Sequence, residues 1–246
     1  MRFQALALSR QGAVASLELR RPESGRVGQA SLGELEQVCA AIHDDDAITV
    51  VLLLTVGDGA LDWAWSDDGA LSPGHLPFRC LELMAQPVVA CAPGGASGAG
   101  LELLLACDLR VTAEGARFAM PAGAMPRAGA TQRLPRLIGR ARAAELLLLG
   151  EPVDAPTALA WGLINALGAD AAAAGAIAGR LAASIASRGP LAVRYAKEAV
   201  LRGLDMPLDQ ALRFETDLTI ILQTTADRAE GVDAFLQKRP PRFSGR

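Results

Sequence analysis

Apolar positions follow two periods along this chain, and together they predict strands alternating with helices, then a run of helices. Residues 13–20 alternate small or apolar with more polar side chains, which is typical of a strand with one covered face. Residues 48–56 form a nearly continuous apolar run, as expected for a parallel strand buried on both faces. A second such run, 87–92, leads into glycines and a helix. The pattern indicates an α/β fold.

Capping and breaking residues place the helices. Ser31 and Glu34 fit a capping box for a helix that ends near His43, itself expected at the surface beside an acidic turn. Gly150 closes a helix over 140–149. Beyond Leu167 the chain is helical, and the predicted helices cover 170–187, 190–202, 206–223 and 225–238.

The segment 57–77 is the least regular part of the sequence, and we expect it to form a loop or lid over a site. It contains Trp63, Trp65 and His75. Long loops in compact domains are more often functional than most segments. His75 has the chemistry of an acid or base, although a histidine in a loop is more commonly solvated.

Composition limits the classes of function. The 246 residues suit one large domain, or a core with a helical appendage. A hydrophobic content of 51%, a charged content of 21% and a net charge of −3 argue against disorder and against general attraction to nucleic acid. The stretch 83–101 is uncharged, but its prolines and glycines favour the protein interior over a membrane. We expect no targeting segment.

The cysteines indicate a reducing environment. Cys39, Cys80, Cys91 and Cys107 lie in mostly apolar surroundings and lack the spacing of a metal site. We therefore expect free thiols in the core of a cytoplasmic protein that needs no metal.

The glycine-rich stretch 93–100 is the main candidate for chemistry. Backbone amides at the start of a helix have no partner within the helix and can bind an oxygen that develops negative charge. Glu102 falls in the first turn of that helix, where an acid is also favoured for structural reasons alone. Small residues also allow a helix to pack closely on its strand, so the glycines leave both interpretations open.

A series of motifs in fixed order resembles the crotonase (enoyl-CoA hydratase/isomerase) superfamily over nearly the whole chain. They are the strand, glycine turn and Glu-bearing helix of 87–105, Cys107-Asp108-Leu109-Arg110, the stretch 129–139, Arg21-Pro22, and the stretches 150–155, 160–165 and 230–240. The resemblance implies an α/β spiral of repeated strand-strand-helix (ββα) turns over 1–167. It also implies a helical C-terminal region, 168–246, that forms homotrimers, often paired into hexamers.

The resemblance further implies an acyl thioester ligand, carried by coenzyme A or by a carrier protein, as in fatty acid metabolism, and no free cofactor. The amides of Ala99 and Trp65 would bind the thioester oxygen as an enolate forms, with Trp63 in the pocket wall. The adenine and phosphate end would lie near Arg26. It would also meet Phe235 and Lys238 from the last helix of a neighbouring subunit.

Two departures from the family pattern bear on the reaction. Hydratases of the family use two glutamates to place and deprotonate water; Glu102 matches the first, and Ala122 stands at the second. No Asp or Glu occurs anywhere over 115–144, so a shifted alignment cannot supply the acid. The family's usual Ala-Gly-Ala-Asp is here Trp63-Ala64-Trp65-Ser66, which we expect to narrow or reshape the pocket.

Two classes of function remain open. The first is an enzyme that stabilises a thioester enolate without the two-glutamate hydration. Decarboxylation, thioester hydrolysis, or isomerisation or hydration with Glu102 as the one acid are the chemical options. The second is a catalytically inactive acyl-thioester binder, or a structural subunit that kept the scaffold.

Overall fold

The computed structural model describes residues 6–20, 25–56, 59–66, 76–123 and 125–246. Its strands are β1 (Leu6–Gln11), β2 (Val14–Leu19), β3 (Arg26–Val27), β4 (Val50–Thr55), β5 (Ala60–Trp65), β6 (Val88–Cys91), β7 (Gly95–Gly98), β8 (Leu109–Ala113), β9 (Arg117–Ala119), β10 (Val153–Asp154) and β11 (Ala166–Gly168). Its helices are α1 (Gln29–His43), α2 (Arg79–Leu83), α3 (Ala99–Leu105), α4 (Ala130–Ile138), α5 (Arg140–Leu149), α6 (Ala155–Trp161), α7 (Ala171–Ala186), α8 (Pro190–Gly203), α9 (Leu208–Gln223) and α10 (Ala226–Leu236).

A six-stranded sheet in the order β1-β2-β4-β6-β8-β11 forms the larger layer. β1 and β2 are antiparallel, and the other neighbours are parallel. The side chains of Val50, Val51 and Leu53 are fully buried, because α7 packs on one face of β4 and the main core lies on the other. The predicted doubly buried strand is confirmed.

The smaller sheet has the order β10-β9-β7-β5-β3, and the sequence pattern predicted none of its five strands. β5 lies inside the segment predicted as an irregular loop, so that prediction is wrong for residues 60–65. Leu61 and Trp63 point inward while Asp62 and Ala64 are exposed, which is the alternation of a strand. This alternation is hard to recognise in the sequence because bulky aromatic and small residues occupy these positions. Residues 67–75, including His75, lie outside the described residues.

Glycines in β7 and in the first turn of α3 permit close packing. A Cβ at Gly95 would lie 2.0 Å from the carbonyl oxygen of Arg117 on the neighbouring strand, and one at Gly100 would lie 1.8 Å from that of Leu61. β7 and the start of α3 therefore approach β9 and β5 more closely than any other residue type allows. The packing interpretation of the glycine-rich stretch is confirmed, and it places the first turn of α3 directly beside β5.

The helix boundaries match the sequence pattern at most caps. α5 ends at Gly150 in the left-handed conformation, and Asp170 caps α7 by accepting from the Ala173 amide at 2.7 Å. The capping box at Ser31 is wrong: α1 begins at Gln29 after an uncapped Gly28, so Ser31 already lies inside the helix.

α7 packs on the large sheet, and β11 pairs with β8, so the residues around the expected boundary at 167 belong to the layer that covers the core. The division into 1–167 and 168–246 stays a prediction.

Among the described residues, no helix has both the length and the apolarity needed to cross a bilayer. The cytoplasmic location also stays a prediction.

All four cysteines are free thiols, as expected. A hydrogen bond with the Cys80 thiol, together with burial, raises the pKa of the Cys39 thiol, and the same bond lowers the pKa of Cys80. Burial raises the pKa of Cys91 to about 11 and that of Cys107 to about 12. Three of the four thiols are therefore protonated and unreactive near neutral pH.

Candidate active site

A cavity of about 550 Å³ opens where β5 ends and α3 begins. Residues 120–121 and 125–127 close its other side. The lining residues are Arg26, Asp62, Trp63, Ala64, Trp65, Ser97, Gly98, Ala99, Glu102, Met120, Pro121, Met125, Pro126 and Arg127. The cavity thus brings together Trp63, Trp65, Ala99, Glu102 and Arg26, which the sequence named from separate segments.

Glu102 is completely buried and accepts four hydrogen bonds from the described residues. Its Oε1 accepts from the backbone amides of Ala128 at 2.6 Å and Ala130 at 3.2 Å. Its Oε2 accepts from the indole Nε1 of Trp65 at 2.8 Å and from the backbone amide of Arg127 at 3.2 Å. Since an ionised carboxylate offers about four acceptor positions, these donors fill them. The carboxylate therefore holds the loop 126–130 and an indole in place.

The two oxygens of Glu102 have different surroundings. Ala128 and Ala130, which donate to Oε1, are buried away from the cavity. Trp65 and Arg127, which donate to Oε2, both line it. Oε2 is therefore the oxygen on the cavity side.

The backbone amides of Trp65 and Ala99 lie at the point where pairing between β5 and β7 ends. The amides of Ala64 and Ser66 donate to β3, at 3.1 Å to the carbonyl of Gly25 and at 2.9 Å to that of Val27. Because successive strand amides alternate in direction, the Trp65 amide points toward β7. The last pair in that register is Trp63 with Gly98, and α3 starts at the next residue, Ala99.

Ala122, at the expected position of the second acid, lies outside the cavity. It is exposed, and it packs beside Gly150, where an added Cβ would come within 2.8 Å of the Ala122 Cβ. Among the described residues that line the cavity, the carboxylates are Glu102 and Asp62. Asp62, which the sequence did not single out, is exposed and lies opposite Ser97 in the β5–β7 register. The alternation within 60–65 was the signal that could have found it.

The two indoles of β5 have different partners. Trp65 contacts the ring of Phe78, with centroids 5.6 Å apart and planes tilted by 32°. Trp63 is 7% exposed, and its buried Nε1 has no hydrogen-bond partner among the described residues. Both indoles form pocket wall, as expected for Trp63, but the side chain of Trp65 also holds the acid.

An ionic contact supports the loop that binds Glu102. Arg133 donates to the carbonyl of Ala128 and forms an ion pair with Glu82 at 2.7 Å. Gly129, in the left-handed conformation with φ of 92°, sits between the donating amides of Ala128 and Ala130. The loop geometry therefore does not depend on Glu102 alone.

The remaining predicted residues lie elsewhere. Phe235, on α10, is 82% exposed, and neither Phe235 nor Lys238 lines this cavity within the chain. Their expected role belongs to a neighbouring subunit and stays a prediction. His43 is exposed, as expected. The described residues contain no group of three or more His, Cys, Asp or Glu side chains that could hold a metal ion.

Comparison with known proteins identifies the fold and the family. The chain superposes on the crystal structure of an enoyl-CoA hydratase from Bacillus anthracis with a TM-score of 0.89 and 33% identity, covering 99% of this chain and 100% of the other. The architecture is therefore the crotonase fold. Residues 77–246 match the family described as enoyl-CoA hydratase/isomerase.

Sequence relatives extend the match over the whole chain. A crotonyl-CoA hydratase of Syntrophomonas wolfei is 32% identical over 260 residues, covering 99% of each chain. A 2,3-dehydroadipyl-CoA hydratase of Escherichia coli is 36% identical over 254 residues, covering 98% of this chain and 99% of the relative. The protein belongs to the enoyl-CoA hydratase/isomerase family.

Proposed function

We propose that this protein is an acyl-CoA-processing enzyme that stabilises a thioester enolate at the backbone amides of Trp65 and Ala99. The observation that carries the proposal is the placement of these two residues at the end of the β5–β7 register, within one cavity. Removing one such donor from an oxyanion site costs about 3 kcal/mol of transition-state stabilisation, so a pair of amides is a substantial catalytic element.

The reaction that the site supports best forms the enolate without a side-chain base. The relatives are named hydratases, but here the second acid is missing and the acceptor positions of Glu102 are filled. In the decarboxylation of a 2-carboxyacyl thioester, the bond to the carboxylate breaks, its electron pair passes to the thioester oxygen, and carbon dioxide leaves. Water then protonates Cα. Each step needs the oxyanion site and none needs a protein base.

We assign the coenzyme A end of the ligand to the part of the cavity that Arg26 lines. Arg26 on β3 lies there and can pair with phosphate. We assign Phe235 and Lys238 of a neighbouring subunit to the same end. A carrier-protein thioester is the alternative ligand, since it presents the same acyl and pantetheine chain without the nucleotide.

A homotrimer or hexamer is part of the proposal. Large apolar side chains are exposed along the last three helices, and contiguous surfaces of this kind mark interaction sites. They include Val200, Leu204, Leu208, Leu212, Phe235 and Leu236, which are 52–82% exposed.

The second candidate is a catalytically inactive acyl-thioester binder. The filled acceptor positions of Glu102 and the outward position of Ala122 favour it, because both features remove the hydratase machinery without disturbing the cavity. Such a protein would bind acyl-CoA and turn nothing over.

A substrate panel separates these functions. We expect malonyl-CoA to lose carbon dioxide, measured by mass spectrometry of the acetyl-CoA formed, and crotonyl-CoA to be hydrated slowly or not at all. Binding of both thioesters in calorimetry without turnover would favour the binder. Rapid hydration of crotonyl-CoA that is abolished in Glu102→Gln would contradict the proposed chemistry, and absence of binding would remove the acyl-CoA assignment.

A further inference from the structure

The side chain of Trp65 is one of the four groups that hold Glu102, and it differs from the other three. Ala128, Ala130 and Arg127 donate through the backbone, so their hydrogen bonds come with the path of the chain. The indole of Trp65 is the one side-chain donor. A substitution at position 65 can remove this donor and leave the loop in place.

The indole blocks the cavity side of the carboxylate. Its bond of 2.8 Å is shorter than the 3.2 Å bond from the Arg127 amide to the same oxygen. The ring contacts that of Phe78, which is 3% exposed, and Glu102 is left with no exposed surface. A ligand in the cavity therefore contacts the indole, because the indole N–H occupies the acceptor position of Oε2 that would otherwise face the ligand.

We propose that the indole N–H of Trp65 determines which reaction the site performs, by occupying Oε2 of Glu102 and withholding this carboxylate from proton transfer. Trp65 is thus a specificity-determining residue, with its backbone amide assigned to the thioester oxygen and its side chain to Glu102. The inference rests on the proposed function, because it presumes that an acyl thioester occupies the cavity.

The proposal predicts that removing the indole donor allows Glu102 to accept a proton from the ligand. Once Oε2 has an open acceptor position, the Cα–H bond of a bound acyl thioester can break with its proton going to Glu102. The electron pair passes to the thioester oxygen, which becomes the enolate oxygen. In heavy water, the protonated Glu102 exchanges with solvent and returns a deuteron to Cα. The cycle consumes nothing beyond solvent and leaves a labelled thioester.

The experiment measures this exchange with butyryl-CoA in heavy water, followed by mass spectrometry. Trp65→Phe keeps an aromatic ring and lacks the N–H, and we expect at least about a hundredfold faster exchange than in the wild type, at the low end of the usual gain from a positioned base. Trp65→Leu provides a second variant without the donor. The double variant Trp65→Phe with Glu102→Gln should lose the gain.

A matched control separates the hydrogen bond from packing. Phe78→Leu loosens the contact with the indole but keeps the N–H, and we expect exchange at the wild-type level. An equal rise in Phe78→Leu, no rise in either Trp65 variant, or a rise that persists in the double variant would each overturn the proposal. Calorimetry with butyryl-CoA is run on every variant. If the wild-type protein does not bind butyryl-CoA, the result counts against the proposed function. If butyryl-CoA binds but exchange does not rise in the Trp65 variants, the result counts against the role of the indole alone.

Discussion

The ammonium Nζ of Lys197 lies 2.7 Å from Oδ2 of Asp108, and the Lys197 side chain is only 6% exposed. This ion pair ties α8 to the residue that precedes β8. Asp108 Oδ2 also accepts from the amide of Val88 at 2.7 Å, and Lys197 also donates to the carbonyl of Gln86 at 3.2 Å. α8 is thus joined to the start of β6 and to the turn that follows α3, the helix that carries Glu102.

Asp108→Ala is expected to lower the free energy of unfolding by about 3 kcal/mol, because it leaves a buried ammonium and the Val88 amide without their shared acceptor. Urea denaturation measures the change. Asp205→Ala is the matched control, since it breaks an ion pair with Arg136 whose side chains are 54% and 72% exposed. We expect about 0.5 kcal/mol or less there. Equal losses in the two variants would contradict the importance of burial.

Gly100→Ala should prevent normal folding or lower stability by more than about 3 kcal/mol, because the new methyl carbon would lie 1.8 Å from the Leu61 carbonyl oxygen. Gly175→Ala within α7 meets no atom within 4 Å and should stabilise the protein by about 0.5–1 kcal/mol. Thermal unfolding followed by circular dichroism checks both. A well-folded Gly100→Ala protein would show that α3 can move away from β5.

Ala122→Glu is expected to leave crotonyl-CoA hydration unchanged. The position is exposed beside Gly150 and does not line the cavity, so a new carboxylate would sit in solvent. An absorbance assay of crotonyl-CoA hydration provides the measurement. A rise of more than about a hundredfold over the wild type, the lower end of general acid–base effects, would mean that the segment after β9 turns inward when a ligand binds.

Stability should fall as the pH rises above about 9, in part because of Cys91. Burial raises the pKa of this thiol from 9.0 to about 11, so the unfolded chain loses the proton first. The contribution of Cys91 to the free energy of unfolding is complete below the pKa of the thiol in the unfolded chain. It is lost as the pH rises through the pKa of the thiol in the folded protein, with a full effect of about 2–3 kcal/mol. Urea denaturation at about pH 8 and about pH 10.5 should show a smaller decline in Cys91→Ala than in the wild type. Equal declines would exclude Cys91 as a contributor.

The sequence predicted the features that depend on local chemistry. Gly150 ends α5 because a left-handed residue is needed there. The apolar run of β4 follows from burial on both faces. Each of these signals lies within a few residues of its consequence.

The strand β5 and the environment of Glu102 depend on distant contacts, and the sequence did not predict them. β5 forms because β7 and β3 pair with it, and its two tryptophans make the alternation of buried and exposed positions hard to recognise in the sequence. The donors to Glu102 come from residues 25 to 37 positions away. Motif comparison placed the acid in the right helix, but only the folded chain shows that its acceptor positions are filled.

The positions of the three tryptophans make intrinsic fluorescence a probe of the cavity. Trp63 and Trp65 line the cavity, whereas Trp161 lies on α6 beneath the guanidinium of Arg142, 5.7 Å from the ring centroid, and does not line it. Two of the three indoles line the space that the proposed thioester would occupy, and one of them is hydrogen-bonded to a carboxylate. Fluorescence emission therefore reports ligand occupancy without an added label, with Trp161 as an internal reference.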